Sequence, residues 1–485
     1  MARSKMASLR ASRTSGAIPD VSYQRPKQLA PAPREAFATG NACFPKKNMQ
    51  HKGTLYIMKR CAFCNVGSRG DLQPLIALAL ALKAKGTWEV VLISEESGRA
   101  LAESFALEFR AVAGDSTGIM FEEEYAEMLA KGKLMAMIKE SERRKKTWYD
   151  QASKDWVETT KDVQMIVSGP FCYNETFCVA EKLGVPWIPL LYGPLYPTRD
   201  FPNPFVMESN WFSWLNLLSF NFLYWALWKQ QAADVNAFRS QLGLEPLLCS
   251  RGLMSVIEEK ELLVIGAFHE VFIPTLKVPA DWPANFFFKN FPFTPKNSES
   301  CSPELQQFLL NNKGNVIYLG LGSMPAPRPR ELLELAERIV RTLKVKAILC
   351  AGWSNVESST DLQEDILVIK SCPHDLVFPQ CQVILHHAGV GTSAATLRSG
   401  VPSVCLPVML DQFYNAKQLT RLGVAPPSIA FQNVASSPDS VIEALRCCLE
   451  SPMMAEQAKE LCSRLEESDG ATQSVEKVLD TYFPS

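Results

Sequence analysis

The chain has 485 residues, 47% of them hydrophobic and 21% charged, with a formal net charge of −1. That length holds two or three domains with full cores; the composition excludes a disordered chain, and the near-zero charge excludes a general nucleic-acid binder. The small sum hides an asymmetry, because residues 1–52 carry ten Lys/Arg against two acids and leave the rest at about −9.

Residues 1–52 are basic, contain much Ser, Ala and Pro, and lack the apolar run of a secretory signal. They read as a disordered leader, with an organellar transit segment as the alternative. From Leu55 short apolar runs alternate with helical periods. Leu55–Met58 begins the first strand and is open to extension as far as Cys64. GSRGD (Gly67–Asp71) breaks it, and LQPLIALALALKAKG, apolar all round, is a buried helix ending near Gly86. EVVLIS (Glu89–Ser94) is the second strand. Residues 119–160, rich in Glu, Lys and Met, read as helices. VQMIVSG (Val163–Gly169) and VPWIPLLY (Val185–Tyr192) are strands separated by a helix through Glu181, and ELLVIGA (Glu261–Ala267) closes this half.

Between these strands lies WFSWLNLLSFNFLYWALW (Trp211–Trp228), eighteen residues without a charge. It reaches only the lower edge of spanning length, and Ser213, Asn216, Ser219 and Asn221 interrupt it. It reads as a helix or helix pair lining an apolar pocket or lying on a membrane surface, with plain core packing as the bland alternative.

A Pro-, Ser- and Asn-rich linker is expected at 291–303. The second half then repeats the alternation: NVIYLGLGS, KAILCAG, ILVIKS, VILHH and VPSVCLPV are strands, RELLELAERIVRTL and GTSAATLRSG are helices, and a last helix spans about 471–482. Repeated β-α-β units imply parallel sheets covered by helices, with ligands at the carboxyl ends of the strands. The expected organisation is a leader over 1–52, one α/β domain over 53–290, the linker, and a second over 304–485 that includes the terminal helix, with a return of that helix onto the first domain as the alternative. The fourteen cysteines follow no framework spacing and read as buried thiols of a reducing compartment; the lone Cys61-x-x-Cys64 has no second pair to complete a zinc site.

Five strand ends carry chemistry. HHAGVGTS (His386–Ser393) places two histidines at a strand end. One is expected to face the cleft and the other the fold. A glycine turn and a helix start follow, capped by Thr392 and Ser393, whose N–H groups suit a diphosphate. Asp411 and Gln412 end the next strand, where a carboxylate and an amide can grip sugar hydroxyls; alone, such a pair is more often a helix cap. CPHD (Cys372–Asp375) can edge a nucleotide, and Ser323 of GLGSMP can face the same cleft. In the first half Asp71 is either a helix cap or an acid facing the cleft, with Ser68 and Arg69 beside it. The Arg-Gly-Asp triplet has no secretory context for an adhesion role, and no Walker loop is present.

Together these segments resemble the sterol 3β-glucosyltransferases of the GT-B superfamily and, more widely, the antibiotic glycosyltransferases, over about residues 54–465. The resemblance is carried by GSRGDLQPLIALALAL, SGPFCYNETFCVAEKLGVPWI, PLYPTRDFPNPF, PADWPANFFFKNFPF, CPHDLVFPQC and HHAGVGTSAATLRSGVPSVCLPVMLDQF. It implies two facing Rossmann-like domains with parallel sheets around a cleft, the first taking the acceptor and the second the nucleotide sugar. The implied reaction is inverting transfer of glucose from UDP-glucose to the hydroxyl of a sterol or similar lipophilic acceptor, with no metal. Implied donor contacts are Ser68, Arg69, Ser323, Cys372, His374, His387, Val390, Gly391, Thr392, Asp411 and Gln412. Asp71 is the implied base, and Trp211, Trp214 and Phe222 suit a flat acceptor. The implied setting is cytoplasmic, with peripheral membrane contact as an option. Another lipid or a polyketide as acceptor, or a silent binder of sugar nucleotide or lipid, are the alternatives. The chain departs from the family pattern at Ala388, Val390 and Leu410; Ala388 is expected to be tolerated and Val390 to crowd the phosphates.

Overall fold

The computed structural model describes residues 48–51, 54–130, 133–206, 212–295, 301–322, 329–350, 362 and 364–484. Trp211, Ser323 and most of the basic leader lie outside them. Residues Pro45–Ser485 form one compact unit.

Two parallel sheets organise it. The first contains β1 (Lys59–Cys64), β2 (Trp88–Glu95), β3 (Glu108–Val112), β4 (Met165–Ser168), β5 (Trp187–Leu191), β6 (Val264–Gly266) and β7 (Phe286–Phe288), in the spatial order β3-β2-β1-β4-β5-β6-β7. The second contains β8 (Val316–Gly320), β9 (Lys346–Cys350), β10 (Ile366–Ile369), β11 (Val383–His386) and β12 (Ser403–Cys405), in the order β10-β9-β8-β11-β12. Every neighbouring pair in both sheets is parallel. The order reverses between β1 and β4 in one sheet and between β8 and β11 in the other. Crevices open at such switch points, and GSRGD follows β1 while HHAG follows β11.

The strand pattern explains why both faces are covered. On β1, Cys61 and Phe63 join the core beneath helix α1 (Arg69–Ala84), whereas Ala62 and Cys64 join Trp156 and Phe177 on the opposite face. On β8, Ile317 and Leu319 face Leu332, Ala336 and Ile339, whereas Tyr318 faces Phe378 and Ile384. The side-chain period of two divides each run between two cores, so nearly every residue of a central strand is apolar.

Two differences from the sequence reading have local causes, and a third outcome is tertiary. Leu55–Ile57 belongs to an antiparallel hairpin, Thr54–Ile57 on Asn48–His51, and the sheet strand starts at Lys59. The polar start of that strand is accommodated because Arg60 pairs with Glu89 and Asp162 at its entrance. β7 is three aromatic residues between prolines, too short for a periodic signal. The terminal helix Gly470–Tyr482, placed by sequence in the second half with a return to the first as the alternative, takes the alternative: Ala471, Val475 and Val478 pack onto the first sheet beside Leu75 and Ile76. Asn290 Nδ2 anchors the return by donating to the carbonyls of Leu465 and Ser468 at 2.5 and 2.8 Å.

Trp214–Trp228 lies within one long helix, Ser213–Gln241. Phe220, Trp228 and Val235 pack inward, while Trp214, Leu218, Phe222 and Trp225 stay exposed. Among the described residues, no helix is long and apolar enough to cross a membrane. The thirteen described cysteines are free and mostly buried.

Candidate functional site

The strand ends at the two switch points converge. Helix α1 contacts helix α2 (Val390–Ser399), the helix that follows the histidine pair. The halves are also tied by Arg421, which donates to the carbonyls of Val271 and Ile273 at 3.2 and 2.8 Å.

His386 and His387 are both buried but meet different neighbours. His386 is fully buried; its Nδ1 accepts from the Ala388 N–H at 3.1 Å and its Nε2 lies 3.9 Å from Cys405 Sγ. Burial pushes its pKa down to about 3, with the charges of His387 and His374 adding to the effect. His387 is also buried, yet its Nδ1 has no partner among the described residues. Burial lowers its pKa to about 4, so at neutral pH it is an uncharged ring with one N–H to donate. The ring fits only because two neighbours lack side chains. A Cβ on Gly389 would lie 2.3 Å from Nε2, and one on Gly322, whose φ is +68°, would lie 2.6 Å from Cε1.

The helix after the pair starts one turn earlier than the hydroxyls suggest. Gly389 is its N-cap, so Val390, Gly391 and Thr392 fill the first turn and Thr392 and Ser393 do not cap it. Their early N–H groups have no intrahelical acceptor, which gives the helix start its attraction for anions. Val390 is partly buried against the core that includes Ala388, Ala394 and Leu397; a Cβ on Gly391 would meet nothing within 4 Å among the described residues. The methyl at 388 is more costly than expected. Ala388 sits at φ +63° and Leu410 at φ +49° and ψ −127°, sparsely populated conformations that cost a non-glycine residue about 1–3 kcal/mol.

Asp411 opens helix α3 (Asp411–Arg421). Burial first, then the negative charge of Asp71, raises its pKa to about 6, against a hydrogen bond from Asn415. Gln412 is buried and already occupied: its Oε1 accepts from the Val408 and Met409 N–H groups at 2.8 and 3.1 Å. Its carbonyl therefore holds the loop before Asp411 in shape.

Asp71 is the third helical residue after Ser68, so it is not itself the N-cap. Its Oδ2 accepts from the Ser68 N–H at 2.7 Å and the Ser68 hydroxyl at 2.9 Å. Asp71 thus closes the capping box of Ser68 instead of serving as the N-cap, and the same carboxylate interacts with Asp411 of the other half. Burial outweighs the Ser68 bonds and raises its pKa to about 6. Arg69 reaches the other half as well: burial and then its charge push His374 down to about 3. His374 stacks on Phe378 with ring centroids 4.2 Å apart, and Cys372 is buried beside it. Ser323 and Trp211 lie outside the described residues. Trp214 and Phe222 are 58% and 54% exposed, an open apolar face.

Three residues escaped the sequence reading. Asn65, fully buried after β1, donates to the Asp71 carbonyl at 3.0 Å, and Tyr192 donates to the same carbonyl at 2.5 Å. Both sit just past strand ends, which was the available signal. Asn415 lies one helical turn after Asp411, a spacing that also marked it.

The chain is similar in sequence and in fold to known proteins. A family model for the glycosyltransferase family 28 N-terminal domain matches residues 61–201, and one for the erythromycin biosynthesis protein CIII-like C-terminal domain matches 342–479. The O-mycaminosyltylonolide 6-deoxyallosyltransferase of Streptomyces fradiae is 30% identical over 426 residues, 86% of this chain and 95% of that protein. The sterol 3-beta-glucosyltransferase of Arabidopsis thaliana is 26% identical over 86% of this chain and 67% of its own length. That of Komagataella phaffii is 26% identical, and the match spans 33% of its length. The crystal structure of the glycotransferase of kitacinnamycin superposes with a TM-score of 0.62 at 17% identity, covering 88% of this chain and 99% of that one. The glycosyltransferase VinC in complex with DTDP superposes at 0.58 and 17% identity, covering 88% and 100%.

Proposed function

The chain belongs to the family 28 glycosyltransferases of GT-B fold, and we propose that it moves glucose from UDP-glucose to the hydroxyl of a sterol or similar lipophilic acceptor. One observation carries this reading: the uncharged His387, with Nδ1 unpartnered, stands between two glycines beside a helix start. That site suits a diphosphate, which takes N–H donors and the positive helix end and needs close backbone approach.

The proposed roles follow from chemistry. The diphosphate lies at Val390, Gly391 and Thr392 with His387 donating. Cys372 and His374 edge the base, and Asp411 accepts from sugar hydroxyls. Arg69 and Ser68 complete the donor side from the first half. Asp71, with a pKa near 6, is ionised at neutral pH and accepts the acceptor's proton as the new bond forms; such a base contributes about 10²–10⁴-fold. The departing nucleoside diphosphate gains charge at His387 and the helix start, and attack from the opposite face inverts the anomeric carbon. The exposed Trp214, Phe222 and Trp225 offer a broad apolar surface to a flat acceptor.

A second reading keeps the chemistry and changes the acceptor to a polyketide. It is favoured by the 30% identity to the tylonolide enzyme over nearly its whole length. The test incubates the protein with UDP-glucose or thymidine-diphosphate sugars and panels of sterols and macrolides, with mass spectrometry of the products. Sterol glucoside from wild type but not from Asp71→Asn supports the first reading. A glycosylated macrolide alone supports the second. Nucleotide binding without any product identifies a silent binder.

A further inference from the structure

Asn415 lies on the helix that starts at Asp411 and is 3% exposed. One side-chain nitrogen, Nδ2, donates to the Ala388 carbonyl at 3.0 Å and to Asp411 Oδ2 at 2.9 Å. A carboxamide NH₂ carries two hydrogens, so both bonds are made at once. Ala388 is fully buried in the left-handed region, with its N–H held by His386 Nδ1 at 3.1 Å. Both peptide groups of the strained residue are therefore fixed, one by the inward histidine and one by Asn415. Such a conformation persists only where its surroundings over-determine it.

The consequence reaches the donor site. Ala388 joins His387 to Gly389, and the Gly389 backbone is the wall against which the His387 ring rests. Relaxation of Ala388 out of the left-handed region would swing both. We infer that Asn415 is a positioning residue for donor binding, locking the left-handed turn that carries His387 while orienting Asp411 with the same amide. The inference rests on the reading of this cleft as a nucleotide-sugar site. It assigns the residue no contact with the donor.

The test is a double-mutant cycle on the full chain, titrated with UDP and with thymidine diphosphate. Asn415→Ala is expected to weaken nucleotide binding about tenfold. In the Ala388→Gly background, where the backbone takes φ near +63° without strain, the same change is expected to cost less than about threefold. Equal losses in the two backgrounds, or unchanged affinity in Asn415→Ala, overturn the inference while wild-type binding preserves the donor reading. Wild type binding neither nucleotide sinks both. If Asn415→Ala fails to fold, the double variant decides: recovered fold with near-wild-type affinity supports the lock, and failure to recover overturns it.

Discussion

Alanine at Gly389 tests whether His387 stands where a diphosphate meets it. The new Cβ would lie 2.3 Å from Nε2 and 3.0 Å from Cε1 of the ring. An ordinary carbon contact needs about 3.5 Å, so the imidazole must move by roughly 1 Å. Backbone strain does not enter, because Gly389 has φ −59°. Overpacking of this kind costs about 1–3 kcal/mol, and a displacement of about 1 Å in a reacting site costs on the order of 10²-fold in function. Gly391, two residues on, is the matched comparison. Its Cβ would meet no protein atom within 4 Å, and alanine in a compatible helical position adds about 0.4–1 kcal/mol. Urea unfolding and calorimetric titration with UDP separate the terms. Gly389→Ala is expected to lose stability and to bind UDP on the order of 10²-fold more weakly. Gly391→Ala is expected to be at least as stable as wild type and still to bind UDP weakly, because its methyl points where the diphosphate rests. If both variants bind UDP as wild type does, the diphosphate lies elsewhere and the reasoning fails.

Asp71→Asn keeps an oxygen for the Ser68 N–H but removes the base, so turnover should fall by about 10²–10⁴-fold with little change in UDP affinity. The same variant should be more stable than wild type at pH 7.5, by a margin that shrinks between pH 6 and 4. The sign follows from the raised pKa of about 6 against 3.8: the fold holds the proton more tightly and loses stability as pH rises through that window. His374, His386 and His387 act oppositely, since pKa values of about 3, 3 and 4 against 6.5 make their contribution full above pH 6.5 and lost as acid approaches 4. Gln412→Ala should cost about 1–3 kcal/mol in urea unfolding, because it strands the Val408 and Met409 N–H groups, and should weaken donor binding through the loop before Asp411. Trp214→Ala with Phe222→Ala should leave stability within about 0.5 kcal/mol per site, since both rings are exposed, and raise the acceptor KM alone. An unchanged acceptor KM would remove this face from acceptor binding.

Local pattern made much of this legible. Runs such as EVVLIS and VILHH are apolar on both faces, as strands of a covered parallel sheet must be, and the residues that follow them lie at the strand ends where such sheets bind ligands. Tertiary structure decided what sequence spacing cannot carry. Asp71 and Asp411 are far apart in the chain, and only the facing of the two sheets lets one carboxylate raise the other. The strain at Ala388 was invisible because φ is set by the closed turn, and the Asn415 bond that holds that turn spans 27 residues. The terminal helix returned to the first sheet because the groove beside Leu75 and Ile76 buries its apolar stripe, a fit between distant surfaces that periodicity alone does not encode.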